Sequence, residues 1–148
     1  MYDTILVPLD GSLRAEAILS YVESLALKFG SRLVLLRVVD PVTSVVGLEG
    51  MPVDVTRDLI NQETEEAKRY LEHRRSSLSS EGINVQIEVR FGPIVQAIIE
   101  VADSQNADLI AIASHGRTGL ARIFYGSVAA GVLHHADRPL LIIRSLGD

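Results

Sequence analysis

Five short apolar segments recur along this 148-residue chain, each separated from the next by a stretch of helical length. They are residues 4–9, 31–39, 83–90, 108–114 and 139–144. Their length and their Ile, Leu and Val content predict β-strands. Strands that alternate with helices are typical of a parallel sheet with right-handed crossovers and helices on both faces. The chain length fits one α/β domain of the Rossmann-like type, spanning residues 1–148.

The intervening segments show apolar residues at helical spacing, which predicts helices over residues 13–29, 54–80, 93–105 and 127–136. Ser12 is placed to cap the first helix, and Gly30 is placed to end it. The loop at residues 40–53 contains an apolar run at 42–51. That run is interpreted as a cover for the core, with a lid or a dimer contact as the alternatives.

The strand segments themselves indicate the order of the sheet. Residues 83–90 (INVQIEVR) alternate apolar and polar side chains, so this strand is expected at an edge. The order 3-2-1-4-5 satisfies that expectation and makes strands one and four neighbours. Ligands of such sheets bind beyond the carboxyl ends of the strands, where the strand order reverses. We therefore expect the turn at residues 10–12 to lie beside the loop at 114–127.

The stretch at residues 107–136 reads as a buried strand, a loop containing Gly116 and Gly119, and a helix that opens at Gly126 and Ser127. Glycines allow close approach of the backbone to a bound group, and a helix start offers unpaired N–H groups with a partial positive charge. Together they are typical of a phosphate-binding site. An ordinary strand-to-helix loop is the alternative that the spacing leaves open.

Composition excludes several classes of function. The net charge of −5 and the pI of about 5.3 argue against a general nucleic-acid or membrane-surface binder. The absence of cysteine excludes disulfides, thiolate metal sites and thiol catalysis. We see no signal-peptide pattern and no apolar run near the ~20 residues of a membrane span, so a cytoplasmic protein is expected.

Three segments resemble the universal stress protein family. Ser114, His115 and Gly116, then nine residues, then Gly126, Ser127 and Val128 are similar to the G-x2-G-x9-G-[ST] motif of its ATP-binding branch, with Ala113 at the first glycine position. ILVPLDGS at residues 5–12 resembles the family's opening strand with its aspartate. ADRPLLIIR at residues 136–144 resembles the family's last strand. The resemblance covers essentially the whole chain.

The resemblance implies an adenine-nucleotide site. Asp10 would lie beneath adenine and ribose with Pro8 beside it, and the backbone of Val38 would bond the adenine edge. Ile112 and Ala113 would line the ribose. Four residues would surround the phosphates: Gly116, Gly126, Ser127 and Val128. Ser12, His115 and Arg117 complete the candidate set. The resemblance also implies a homodimer that pairs the strand at residues 139–144 across a two-fold axis.

Several of these side chains have a second interpretation. Asp10 faces the sugar or holds Mg²⁺, or else it caps the first helix. Arg117 and Arg122 contact phosphate, or they are solvated loop arginines. His115 is interpreted as a hydrogen-bonding or structural residue, since the sequence shows no catalytic partner for it. Ala113 is strained if its position requires a positive φ, and is tolerated with weaker nucleotide binding if the position only needs a small side chain beside the ribose.

The sequence thus predicts a homodimeric protein that binds ATP, AMP or a related adenine nucleotide, with Mg²⁺ as a possible companion ion and without efficient catalysis. Two other functions stay open: a nucleotide-independent dimeric interaction module, and a slow ATPase. Binding of nucleic acid or of membranes is not expected.

Overall fold

A computed structural model describes residues 1–40, 50, 52–115 and 126–145. Five strands and five helices alternate along it. In chain order they are β1 (Thr4–Pro8), α1 (Leu13–Glu16), α2 (Leu19–Phe29), β2 (Arg32–Val39), α3 (Val53–Ser79), β3 (Val85–Phe91), α4 (Ile94–Ser104), β4 (Leu109–His115), α5 (Ser127–His135) and β5 (Leu140–Ser145). The predicted apolar run at residues 42–51 lies outside the described residues, except for Gly50.

The strands form one parallel sheet in the order β3-β2-β1-β4-β5, which confirms the predicted fold class and strand order. β1 is central and pairs with β2 on one side and with β4 on the other. The register sets Pro8, the last residue of β1, opposite Leu36, so β2 continues for three residues beyond the end of β1. β3 lies at an edge and is mostly half-buried, as its alternating sequence predicted.

Each face of the sheet carries its own hydrophobic cluster. On one face, Val7 and Leu35 pack with Val22 of α2 and Leu71 of α3. On the other face, Leu6, Val34 and Leu36 pack with Ile98 of α4 and Val132 of α5. Successive strand residues point to opposite faces, so a strand covered on both sides must be apolar throughout. This requirement explains TILVP in β1, whose five residues are all buried.

The predicted single helix at residues 13–29 is two helices. Between α1 and α2, the N–H groups of Ala17 and Ile18 donate to the carbonyls of Arg14 and Ala15, three residues back. This tighter i→i+3 bonding interrupts the α-helix and turns Ile18 fully into the core. The predicted end caps are confirmed, because the Ser12 hydroxyl accepts from the N–H of Ala15 and Gly30 adopts a left-handed φ of 69°.

Among the described helices, none is both long and apolar enough to cross a membrane. The longest, α3, is strongly polar on its outer side, and its buried residues Ala67, Leu71 and Leu78 follow one stripe.

Candidate functional site

A pocket opens at the carboxyl ends of β1, β2 and β4, the three central strands. It encloses about 790 Å³, including the open solvent at its mouth. Its lining residues are Pro8, Leu9, Asp10, Arg14, Ala15, Leu36, Arg37, Val38, Ile94, Ile98, Ile112, Ala113, Ser114, Gly126, Ser127, Val128 and Ala129. The order of the strands reverses at this place, where ligands of open parallel sheets bind.

One wall of the pocket is apolar. Ile94 and Ile98 of α4 face Leu36 and Val38 at the end of β2, and Ile112 continues the wall on β4. Ile98 and Leu36 are fully buried, which makes this wall part of the core cluster beneath it. A dry, rigid apolar wall is suited to a flat uncharged ring.

The opposite end of the pocket is the amino terminus of α5. Gly126 is the N-cap residue with φ 80° and ψ 150°, and its carbonyl accepts from the N–H of Ala130 at 3.0 Å. Ser127, Val128 and Ala129 form the first turn, and all three line the pocket. The N–H groups of a first helical turn have no partner within the helix, and the helix dipole adds a partial positive charge there. This end is therefore suited to an anion such as phosphate.

Asp10 is held in place between these two ends. Its Oδ1 accepts hydrogen bonds from the N–H of Ser12 at 2.8 Å and from the Ser12 hydroxyl at 2.6 Å. The same hydroxyl accepts from the N–H of Ala15 at 3.1 Å. The N-cap of α1 is thus Ser12, and the alternative that Asp10 caps this helix is wrong. Asp10 is exposed and lines the pocket.

A half-buried ionic cluster lies behind Asp10 and joins α1 to α3. Glu16 Oε1 and Arg74 Nε are 2.7 Å apart, and the Arg74 guanidinium lies 5.8 Å from the centre of the Tyr70 ring. Burial, and then the Glu16 carboxylate, raise the pKa of the Tyr70 hydroxyl to about 12. Because Glu16 belongs to α1, the ion pair with Arg74 fixes the position of this helix, which Ser12 caps and which contains Arg14.

The structure brings most of the predicted binding residues together in this one pocket. Those that line it are Pro8, Asp10, Val38, Ile112, Ala113, Gly126, Ser127 and Val128. Ser12 acts from behind by holding Asp10. His115 is described only as the last residue of β4, whereas Gly116, Arg117 and Arg122 lie outside the described residues.

Ala113 is not strained. It lies inside β4 in register with Ile143 of β5, and among the described non-glycine residues only Asn106 has a positive φ. The alternative in which its β-carbon strains the backbone is therefore wrong. The position is extended and half-buried, so alanine fits it without backbone cost.

Two charged residues of the pocket were not predicted. Arg14 comes from the short helix α1, and Arg37 comes from β2. The signal for Arg37 was its position inside the apolar part of RLVLLRVV, where burial disfavours a charge. Arg14 carries no comparable signal, because arginine is common on helix surfaces.

Over the ranges that the structure describes, no group of three or more histidine, cysteine, aspartate or glutamate side chains is arranged to bind a metal ion. Asp10 is the sole carboxylate among the described lining residues. Magnesium at Asp10 therefore stays a prediction. It would require ligand phosphate oxygens to complete the coordination.

The fold and the pocket define an α/β domain of the class that binds a ligand across the switch point of a parallel sheet. The model of the universal stress protein family matches residues 1–144, and the chain belongs to that family. Universal stress protein MJ0577 of Methanocaldococcus jannaschii is 30% identical over 97% of this chain and 96% of its own length. Universal stress protein MJ0531 of the same organism is 31% identical over 97% of this chain and 83% of its own.

Solved structures agree with this assignment. The structure of MJ0577 superposes with a TM-score of 0.85 at 30% identity, over 100% of this chain and 99% of its own. Two more distant structures show the same fold with bound nucleotide. A universal stress protein in complex with cAMP has a TM-score of 0.69 at 20% identity, covering 97% of this chain and 98% of its own. One from Archaeoglobus fulgidus in complex with dAMP has a TM-score of 0.67 at 23% identity, covering 96% and 98%.

Proposed function

We propose that this chain binds ATP or a related adenine nucleotide in the pocket at the ends of β1, β2 and β4, without efficient catalysis. The observation that carries the proposal is the pairing of an apolar wall at one end of the pocket with the free N–H groups of α5 at the other. A nucleotide has the matching polarity, since its base is flat and uncharged and its phosphates are anionic. The nucleotide complexes of the two relatives support this choice.

The proposed pose follows the polarity of the pocket. Adenine lies against the apolar wall and bonds the backbone of Val38, and the ribose lies between Asp10 and Ala113. The phosphates lie at Gly126, Ser127 and Val128. The Ser127 side chain is exposed at the start of α5, so its hydroxyl is free to donate to a phosphate oxygen.

Equilibrium binding of ATP, measured by calorimetry on the wild type and two Gly126 variants, tests the proposal. Gly126 has a φ of 80°, so Gly126→Asn and Gly126→Asp introduce the same backbone strain. They differ only in the negative charge that aspartate places beside the phosphates. We expect the asparagine variant to bind more weakly than wild type and the aspartate variant to lose roughly another tenfold or more.

Equal affinities of the two variants would contradict phosphate binding at α5. If the wild type does not bind ATP at millimolar concentration, the nucleotide proposal is wrong and the nucleotide-independent interaction module takes its place. A slow ATPase would be indicated by turnover that Asp10→Ala abolishes. We do not expect it, because the sole described carboxylate of the pocket is held as an acceptor by Ser12.

We also propose that the protein is a homodimer through β5. This strand lies at the edge of the sheet, and Leu140, Leu141, Ile142 and Ile143 are only half-buried along it. An apolar edge strand is a liability unless another chain covers it, and a two-fold pairing covers both copies at once. Ile142→Asp should produce monomers in sedimentation experiments, whereas Arg144→Gln on the same strand should not. A monomeric wild type at micromolar concentration would refute the dimer.

A further inference from the structure

Arg14 and Arg37 bring two positive charges into a pocket of an acidic chain. Both line the pocket, while the described residues around them contribute a single carboxylate, that of Asp10. A guanidinium has five N–H donors and no acceptor, so each arginine that faces a ligand favours an anionic group.

The two arginines lie on the opposite face of the sheet from α5. Side chains of Leu33 and Leu35 face the layer of α2 and α3, and Arg37 follows them at the same two-residue spacing. Its Nη2 lies 3.9 Å from the position that a β-carbon on Gly11 would occupy, in the turn before α1. Val128 and Val132 of α5 pack on the other face. The pocket therefore has one anion-binding feature on each face.

One nitrogen of the half-buried Arg37 guanidinium has no acceptor among the described residues. Its Nε is buried and has no hydrogen-bond partner within the described part of the chain. Neither Arg14 nor Arg37 forms an ion pair with a carboxylate over residues 1–40, 52–115 and 126–145. A buried charged donor without an acceptor is costly, and a ligand anion removes that cost.

We infer that Arg14 and Arg37 form a second anion subsite, and that the preferred ligand is an adenine nucleotide with an additional phosphate group on the 2′ or 3′ oxygen of its ribose. The inference rests on the proposed function, which assigns the 5′ phosphate to α5. Arg37 lies on β2 and α5 packs against β4, with β1 between these strands, so Arg37 and α5 lie about two strand spacings apart, ~10 Å. One phosphate group is too small to bridge that span, the proposed pose keeps the whole 5′ phosphate chain of ATP at α5, and adenine carries no charge. The ribose hydroxyls are then the positions from which a second phosphate reaches the arginines.

A different role for Arg37 predicts a different result. The planar guanidinium stacks well on aromatic rings, so Arg37 would support the adenine base in that role. Stacking would strengthen the binding of every adenine nucleotide equally. A second subsite instead changes the ratio between the affinities for adenosine 3′,5′-bisphosphate, or its 2′,5′ isomer, and for AMP.

The test measures these nucleotides by calorimetry on wild type, Arg14→Gln, Arg37→Gln and Arg37→Lys. Arg69→Gln is the matched control, because it removes the same charge from the exposed side of α3. We expect the wild type to bind one of the bisphosphates roughly tenfold or more tightly than AMP. Each glutamine variant should bring that ratio toward one, Arg37→Lys should retain part of it, and Arg69→Gln should keep it. Circular dichroism on each variant checks that the fold is intact.

Equal binding of AMP and both bisphosphates by the wild type overturns the second subsite and leaves the proposed function standing. A uniform loss in Arg37→Gln, with the ratio unchanged, also overturns it in favour of stacking. If the wild type binds none of these nucleotides and no ATP, the proposed function itself fails, and the subsite fails with it.

Discussion

The substitution Gly131→Ala probes how closely α5 is packed against α4. An ideal β-carbon at Gly131 would lie 2.6 Å from Cγ2 and 3.4 Å from Cγ1 of Val95 on α4. Carbon atoms in contact normally lie about 3.5–4.0 Å apart. Since Val95 is β-branched and sits in a helix, its methyl groups cannot rotate away easily. The overlap must be relieved by moving one helix.

Two effects of opposite sign decide the outcome. Alanine in place of glycine inside a helix stabilises by up to about 1 kcal/mol, and overpacking a well-filled contact costs about 1–3 kcal/mol. We expect Gly131→Ala to lower the free energy of unfolding by about 1 kcal/mol, because the overlap with a stiff side chain outweighs propensity. In a Val95→Ala background the overlapping methyl groups are gone, and the same substitution should then stabilise by up to about 1 kcal/mol.

Urea denaturation followed by circular dichroism measures all four proteins of this double-mutant cycle. Ser24→Ala on the exposed side of α2 serves as the propensity control, since it improves helix propensity without entering a core. The expected coupling between the two sites is about 2 kcal/mol. If the single variant Gly131→Ala, in which Val95 is unchanged, is more stable than the wild type, the close-packing argument is wrong. Because α5 carries the proposed phosphate-binding end of the pocket, we expect ATP affinity to fall in Gly131→Ala and to recover in the double variant.

Three further predictions follow from single contacts. Ser12→Ala removes the N-cap of α1 and a hydrogen bond to Asp10, so it should cost about 1 kcal/mol in urea denaturation and weaken ATP binding, whereas Ser12→Thr should retain both. Ala113→Gly should cost about 0.5–1 kcal/mol, because it loosens an extended, unstrained strand position; a gain in stability would show that the alanine was strained after all. The folded chain holds the Tyr70 proton more tightly than the unfolded chain does, so the stability contributed by Tyr70 is present below pH 10 and is lost as the pH rises toward about 12. The Tyr70→Phe variant should therefore lose less stability than the wild type between pH 10 and about pH 12. If the urea midpoints of the two proteins fall equally over this pH range, the prediction is wrong.

The architecture was predictable because each strand carries its environment in its sequence. β1 is apolar from Ile5 to Pro8, as is typical of a central strand covered on both faces, and β3 alternates as an edge strand does. These two patterns are consistent with the order 3-2-1-4-5, which makes strands one and four neighbours, but they do not prove it; the structure confirms the order. That neighbourhood brings Asp10 to the same pocket as Gly126.

The break in the first helix was not predictable, because Ala17 and Ile18 continue the helical pattern without interruption. The break exists because docking on the sheet buries Ile18 completely, which is a tertiary effect. The place of Arg37 was hidden for a similar reason. Whether a strand residue reaches the pocket depends on register, and Pro8 opposite Leu36 puts Arg37 just beyond the tip of β1. No local sequence pattern specifies that register.

The electrostatics of the pocket differ in sign from those of the whole chain. The net charge of −5 repels a nucleotide at long range, whereas the described lining holds two guanidinium groups against one carboxylate, together with the N-terminal turn of α5. Long-range charge acts mainly on the rate of encounter and is screened by salt, but contacts inside a pocket are screened much less. For the proposed nucleotide, we therefore expect the affinity to depend on slow dissociation and not on fast association. We expect the pocket to discriminate among nucleotides by the positions of their phosphates, because the total charge of the chain works against binding.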